Sequence, residues 1–138
     1  MRVCIVGCGA VGSLFAANLA TLDDVEVWAY DLSRPHVDAI NAGGLRLSGA
    51  GEVHVRLHAT SDAAALPPCD LGIVATKAMH AEAAIAATAH AFADGAVASV
   101  MNGVGNEETL ARHVGRVIRG TTFPAGKLLE PGHVQWDV

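Results

Sequence analysis

Residues 3–20 read VCIVGCGAVGSLFAANLA. The first four residues predict a buried strand, the glycine-rich segment a tight turn, and the residues after it a helix. In such a unit Gly7 permits the turn, Gly9 lets the backbone approach a pyrophosphate, and Gly12 lets the helix pack closely on the strand. Asp31 stands at the spacing expected for the acidic residue of this motif, about 20 residues on. The segment therefore predicts a dinucleotide-binding site.

The helix after the glycine turn would direct its first N–H groups and the positive end of its dipole toward the phosphates. Two alternatives fit parts of the segment. One is a glycine turn with a purely structural role, and the other is a signal peptide, with Arg2 before an apolar stretch. Neither accounts for the glycine spacing together with the downstream acid, so we favour the dinucleotide site.

The composition predicts one folded domain. The chain has 138 residues, of which 51% are hydrophobic and 17% charged, and this balance excludes a disordered protein. No apolar run reaches the ~18 residues that a membrane-spanning helix needs, so we expect a soluble protein with no membrane contact. The formal net charge of -5 provides no basic surface for nucleic acid. An anionic ligand must be held by local groups.

The three cysteines, Cys4, Cys8 and Cys69, match neither a zinc-binding spacing nor a disulfide framework. They indicate a reducing compartment, and we expect a cytoplasmic protein. Cys4 in the first strand and Cys8 in the glycine turn are interpreted as small packing residues.

A metal site is not expected. His54 and His58 are four residues apart, a spacing that would bring them together on a helix. The alternation of residues 53–57 instead predicts a strand, on which the two side chains lie too far apart to chelate one ion.

Predicted strands and helices alternate along the rest of the chain. Strands are expected at 25–30, 71–75 and 96–100, helices at about 34–41 (with Ser33 as N-cap) and 79–93 and from 106, a hairpin within 45–55, and further short strands at 117–120, 121–125 and 133–136. This order predicts a Rossmann-type α/β fold, that is, a doubly wound, mostly parallel sheet with an inserted β-hairpin.

Polar residues follow the predicted central strands. Thr76 and Lys77 come after the strand at 71–75, and Asn102 follows the strand at 96–100. Ligands of doubly wound sheets lie across the carboxyl ends of the strands, so we expect these residues to share a crevice with the glycine turn and Asp31. Taken singly, Lys77 also fits a solvated surface lysine and Asn102 a turn residue.

The sequence resembles the ketopantoate reductases (2-dehydropantoate 2-reductases) over its whole length. The matching segments are 7–15, 40–47, 76–78, 102–108 and 121–122. The Asn-Gly-x-Gly-Asn-Glu pattern at 102–107 and the lysine after the central strand are the most specific of these. The resemblance implies hydride transfer from a nicotinamide cofactor to the ketone of a 2-oxo acid, giving a 2-hydroxy acid such as pantoate on the coenzyme A pathway.

The resemblance also implies roles for single residues. Lys77 corresponds to a lysine on the cofactor side, Asn102 to an asparagine near the nicotinamide and the substrate, and Ala125 to a backbone contact with the cofactor. Lys77 and Asn102 are the candidate catalytic residues. The expected cofactor-binding residues are Gly7, Cys8, Gly9, Ala10, Val11, Gly12, Asp31, Thr76, Lys77, Asn102 and Ala125.

The sequence departs from the family pattern in its length. Family members typically continue for about as many residues again into a helical domain that supplies the proton-donating lysine and most substrate contacts. Residues 1–138 resemble only the cofactor-binding domain, without its last strands. Because a sheet that normally packs on a second domain leaves apolar surface uncovered, we expect a homodimer or a missing helical domain as the partner.

The second departure is Asp31, where many members that use NADPH have an arginine. A carboxylate accepts a hydrogen bond from the ribose 2′-hydroxyl and repels a 2′-phosphate, so NAD(H) is expected. NADP(H) stays an alternative cofactor because Arg34 is nearby in the sequence. Asp31 could also cap the next helix instead of binding the ribose. Two other functions also stay open: a nucleotide-binding or interaction module without catalysis, and a related dehydrogenase for another hydroxy acid.

Overall fold

The computed structural model describes all of residues 1–138. The strands are β1 (Arg2–Val6), β2 (Glu26–Tyr30), β3 (Leu45–Gly49), β4 (Val53–Val55), β5 (His58–Thr60), β6 (Leu71–Val74), β7 (Ala96–Ser99), β8 (Val117–Arg119), β9 (Gly126–Glu130) and β10 (His133–Trp136). The helices are α1 (Ala10–Ala20), α2 (Arg34–Gly43), α3 (Ala81–Thr88) and α4 (Asn106–Ala111). None of these helices has both the length and the apolar character needed to cross a membrane.

Six parallel strands form the larger sheet, in the order β5-β2-β1-β6-β7-β8. The chain builds outward from β1 in one direction through β2 and β5, and in the other through β6, β7 and β8. The reversal places a crevice beside the carboxyl end of β1, where doubly wound sheets bind ligands. The predicted Rossmann-type fold is confirmed.

The predicted hairpin is present as the antiparallel pair β3 and β4, but it belongs to a second sheet. That sheet has the order β4-β3-β10-β9, with β10 parallel to β3 and antiparallel to β9. All four of its strands contact α1, which therefore lies between the two sheets. Coverage on two sides explains why α1 is apolar around most of its circumference.

Two apolar clusters cover the two faces of the larger sheet. Ile5 faces α1 and the smaller sheet, and its neighbour Val6 faces α3 and α4. On the second face the ring of Phe92 lies directly on Gly72, where a Cβ atom would be 2.6 Å from the ring. Fully burying a side chain of this kind stabilises a fold by about 1.5–3 kcal/mol.

A predicted helix and a predicted strand differ from the structure. The helix expected at 79–93 is α3 flanked by short 3-10 helices at Ala78–His80 and Ala89–Phe92. Residues 121–125 are not a strand, because after Gly120 donates to the Ser99 carbonyl the chain leaves the sheet, and Pro124 has no N–H to donate.

The prediction that one strand carries both His54 and His58 is also wrong. β4 ends at Val55, and His58 begins β5 at the edge of the larger sheet. His54 lies 2.7 Å from the Gly43 carbonyl, whereas His58 stacks on Trp28 with ring centroids 4.6 Å apart. The two histidines therefore belong to different sheets.

Candidate functional site

A cleft of about 990 Å³ opens at the carboxyl edge of the larger sheet. It is bounded by the glycine turn, by the residues that follow β2, β6 and β7, and by part of the segment 121–125. Eight of the candidate residues line it: Gly7, Gly9, Ala10, Val11, Asp31, Thr76, Lys77 and Asn102. The strand order thus brings together side chains that are far apart in the sequence.

The three glycines of the turn meet different surroundings. Gly7 has φ +91°, and a Cβ atom there would lie 2.6 Å from Thr76 Cγ2 and 2.9 Å from its backbone nitrogen. A Cβ atom on Gly12 would overlap the Gly7 carbonyl oxygen, so α1 packs on the turn only with glycine at this position. A Cβ atom on Gly9 would meet no protein atom within 4 Å. Gly9 therefore borders open space in the cleft.

The N-terminus of α1 faces this space with unpaired donors. The first hydrogen bond of the helix runs from the Ser13 N–H to the Gly9 carbonyl, at 2.9 Å. The N–H groups of Ala10, Val11 and Gly12 consequently have no acceptor within the helix. The first turn of α1 contains no acidic residue, and Gly9 as N-cap supplies no side chain. This end of the helix is suited to an anion.

Asp31 ties the turn after β2 to the glycine turn. Its Oδ2 accepts the Cys8 N–H at 2.8 Å, and its Oδ1 accepts the Ser33 N–H at 2.8 Å. Ser33 is the N-cap residue of α2, as predicted, but its hydroxyl makes no capping bond. Asp31 therefore bonds the backbone ahead of α2 rather than the first turn of the helix. Each carboxylate oxygen keeps capacity for another donor from the cleft.

Lys77 and Asn102 present exposed side chains at the ends of neighbouring strands. The Thr76 hydroxyl, 3.4 Å from Met101 Sδ, connects these two strand ends. After Asn102 the chain turns through Gly103 and Gly105, which have φ values of +102° and +89°. The glycines of the Asn-Gly-x-Gly-Asn segment are thus required by its backbone conformation.

The buried Asn106 completes that turn, because its side-chain amide donates to the Asn102 carbonyl at 3.0 Å. The Asn102 backbone is held in this way while its side chain stays free. An amide in this position can orient a carbonyl or hydroxyl group of a ligand by hydrogen bonding.

Three candidate residues do not line the cleft: Cys8, Gly12 and Ala125. The Cys8 side chain is fully buried, and burial raises the pKa of its thiol to about 12. Ala125 uses its N–H on the Val138 carbonyl and its carbonyl on the Asp137 N–H, at 3.2 and 2.8 Å. Its neighbour Pro124 lines the cleft instead.

Other lining residues were not predicted, among them Tyr30, Leu32 and Thr122. Tyr30 and Leu32 flank Asp31, so the rule that ligands meet strand ends would have found them. Burial and the adjacent Asp31 raise the pKa of Tyr30, which therefore stays protonated. Thr122 had no signal of its own beyond its place in a segment shared with the resembled family.

Comparison with known proteins gives concordant matches. Residues 3–137 match the family model described as Ketopantoate reductase PanE/ApbA. The chain is 35% identical to the 2-dehydropantoate 2-reductase of Pyrococcus abyssi (strain GE5 / Orsay), over 99% of this chain and 44% of that protein. It is 36% identical to the 2-dehydropantoate 2-reductase of Archaeoglobus fulgidus (strain ATCC 49558 / DSM 4304 / JCM 9628 / NBRC 100126 / VC-16), over 96% of this chain and 43% of that protein.

Two solved structures are similar in fold and sequence. The PanE/ApbA family ketopantoate reductase from Ralstonia eutropha JMP134 has a TM-score of 0.88 and 34% identity, over 99% of this chain and 46% of that one. D-mandelate dehydrogenase, in its ternary structure with NADH and anilino(oxo)acetate, has a TM-score of 0.89 and 28% identity, over 99% of this chain and 45% of that one. The chain spans less than half the length of these relatives.

Proposed function

Since the chain belongs to the ketopantoate reductase PanE/ApbA family, we propose that residues 1–138 form the dinucleotide-binding domain of an NAD(P)-dependent 2-dehydropantoate 2-reductase. The reaction transfers a hydride from the nicotinamide to the ketone carbon of the 2-oxo acid, and a proton to the resulting alkoxide, which gives the 2-hydroxy acid. The observation that carries the proposal is the cleft beside β1, into which the N-terminus of α1 opens with free donors.

The proposed cofactor position follows from the chemistry of the cleft. The pyrophosphate is placed at the N–H groups of Ala10, Val11 and Gly12, where Gly9 leaves room for it. The adenosine ribose then lies at Asp31. Lys77 and Asn102 are proposed to act at the other strand ends, Lys77 on the cofactor and Asn102 on the nicotinamide and the substrate ketone.

We propose a preference for NAD(H) over NADP(H). The Asp31 carboxylate lines the cleft, and its two contacts with the backbone hold it in place there. It can accept a hydrogen bond from the ribose 2′-hydroxyl, whereas a 2′-phosphate beside it would meet a like charge. Arg34, the residue that keeps NADP(H) open, is exposed at the start of α2 and does not line the cleft. D-mandelate dehydrogenase, a structural neighbour, was solved with NADH bound.

Calorimetric titration with NADH and NADPH tests both proposals. We expect NADH to bind at least tenfold more tightly, and Asp31→Asn to narrow this ratio by removing the charge. Asp38→Asn is the matched control, since Asp38 is an exposed carboxylate of α2 outside the cleft. Tighter binding of NADPH by the unaltered protein would overturn the cofactor preference, and no binding of either cofactor would overturn the proposed function.

The likeness to D-mandelate dehydrogenase favours one second candidate, a related dehydrogenase for another 2-oxo acid. Oxidation of NADH with 2-dehydropantoate and with an aromatic 2-oxo acid, measured on a chain that includes the substrate-binding region, distinguishes the two. A binding module without catalysis predicts cofactor binding and no turnover of either acid.

We further propose that a helical domain or a second copy covers the rim of the cleft. Met79 and Phe123 are chain neighbours of lining residues, and Val104 follows the lining residue Asn102 by two positions. The side chains of Met79, Phe123 and Val104 are 79%, 89% and 97% exposed. Exposed apolar groups concentrated around one opening are typical of a surface that meets a partner. Sedimentation velocity tests for the homodimer.

The three free thiols support the cytoplasm as the compartment.

A further inference from the structure

A buried chain of hydrogen bonds leads from α2 to the glycine turn. His36 is only 2% exposed and does not line the cleft. The Gly132 N–H donates to its Nδ1 at 3.0 Å, so the ring carries its hydrogen on Nε2. This nitrogen lies 3.3 Å from the Ser13 hydroxyl, which in turn donates to the Cys8 carbonyl at 3.0 Å. Both ring nitrogens of His36 and the Ser13 hydroxyl therefore have hydrogen-bond partners.

These contacts hold the peptide groups on both sides of Cys8. The Cys8 N–H is bound by Asp31 and its carbonyl by Ser13. The carbonyl belongs to the peptide that enters Gly9, the N-cap of α1. The direction of this peptide sets where the first free N–H groups of α1 point. The imidazole donates from Nε2 to the Ser13 hydroxyl and so restricts its rotation, and Cys8 Sγ also lies 3.5 Å from this hydroxyl.

We propose that His36 is a positioning residue for the dinucleotide site, acting through Ser13 on the Cys8–Gly9 peptide. This inference rests on the proposed function, because it requires that the glycine turn bind a nicotinamide dinucleotide. The turn between β9 and β10 holds the imidazole through Gly132, so the smaller sheet contributes to a site that it does not line. A histidine that only fills the core would affect stability but not the geometry of the turn.

The test is a set of NADH affinities measured by calorimetry on folded variants. His36→Leu keeps the approximate volume and removes the hydrogen bonds, whereas His36→Gln keeps a side-chain donor at the place of Nε2. Ser13→Ala breaks the middle of the chain and leaves the imidazole in place. Phe92→Leu, in the core on the opposite face of the sheet, is the control for a general loss of stability.

We expect His36→Leu and Ser13→Ala each to raise the Kd for NADH at least tenfold, and the double variant to bind no worse than either. Binding by His36→Gln should stay within threefold of the unaltered protein, as should binding by Phe92→Leu. If His36→Leu does not fold, His36→Met, which also lacks a hydrogen-bond donor, replaces it in the test.

Three results would overturn the proposal: wild-type affinity in His36→Leu, wild-type affinity in Ser13→Ala, or a loss in His36→Gln as large as that in Ser13→Ala. Failure of the unaltered protein to bind NADH would instead refute the proposed function, so the two failures are distinguishable.

Discussion

Placing the same methyl group at two glycines of one turn separates binding from folding. In Gly9→Ala the added carbon meets no protein atom within 4 Å. We expect the free energy of unfolding to change by less than about 1 kcal/mol. The methyl group would occupy the space beside the first N–H groups of α1. The Kd for NADH should therefore rise at least tenfold, a loss of about 1.4 kcal/mol in binding.

Gly12→Ala should instead lower the stability of the fold. Its methyl group would overlap the Gly7 carbonyl and lie 3.2 Å from Ile5 Cγ2, so α1 must move away from β1. Overpacking of this kind costs about 1–3 kcal/mol. For a domain of this size such a loss lowers the Tm by roughly 4–12 °C.

Thermal unfolding followed by circular dichroism, together with NADH titration well below the Tm, measures both effects. Gly43→Ala is the matched control, because a Cβ atom at Gly43 also meets nothing within 4 Å and Gly43 lies away from the cleft. It should leave the Kd for NADH unchanged and should not lower the Tm. The reasoning is refuted if Gly9→Ala binds NADH as the unaltered protein does, or if it lowers the Tm as much as Gly12→Ala.

Three further outcomes are expected. Because burial raises the pKa of Cys8 to about 12, iodoacetamide at pH 8 should label Cys8 in urea but not in the folded protein; labelling of the native state, detected by mass spectrometry, would contradict this. Burial lowers the pKa of His36, although the negative charge of Asp31 raises it by a smaller amount. As the pH falls, this histidine is therefore protonated in the unfolded chain before it is protonated in the folded protein. The free energy of unfolding should therefore decline below about pH 6.5 until the folded-state pKa of His36 is reached. Between pH 7 and pH 5 the urea midpoint should fall more for the unaltered protein than for His36→Gln. Equal declines in the two proteins would contradict this assignment to His36. Finally, residues 1–138 with NADH and 2-dehydropantoate should turn over below about 0.1 s⁻¹, since the resemblance assigns the proton donor to a helical domain and general acid catalysis contributes about 10²–10⁴-fold. A kcat near the ~10 s⁻¹ median of enzymes would show that a residue of this chain, such as His80, supplies the proton.

The larger sheet was predictable because its signals are local. The apolar run of β1, the glycine spacing after it and the acid after β2 all lie within one βαβ unit, and each restricts the same backbone. The crevice then follows from parallel strands alone, since their carboxyl ends share one edge. Thr76 and Asn102 could be assigned to it without any knowledge of side-chain contacts.

The smaller sheet was not predictable in the same way. The pairing of β3 with β10 joins Leu47 to Val134, and no short-range pattern encodes a partner at that separation. The hydrogen bonds of Asp31 also escaped prediction. A carboxylate near a glycine turn can face a ribose, a helix or the turn itself, and only the positions of Cys8 and Ser33 show that it bonds the turn.

The late position of β10 in the chain has a consequence for how the protein is made. Val134 leaves the ribosome 87 residues after its partner Leu47 (134 - 47 = 87). At about 5–20 residues per second this is a delay of roughly 4–17 s. Throughout that interval β3 and β4 lack the strand that joins them to β9, and the outward side of α1 is incompletely covered. Gly132 emerges at the same late stage, so the nascent glycine turn acquires its support from His36 only when synthesis of residues 1–138 is nearly complete.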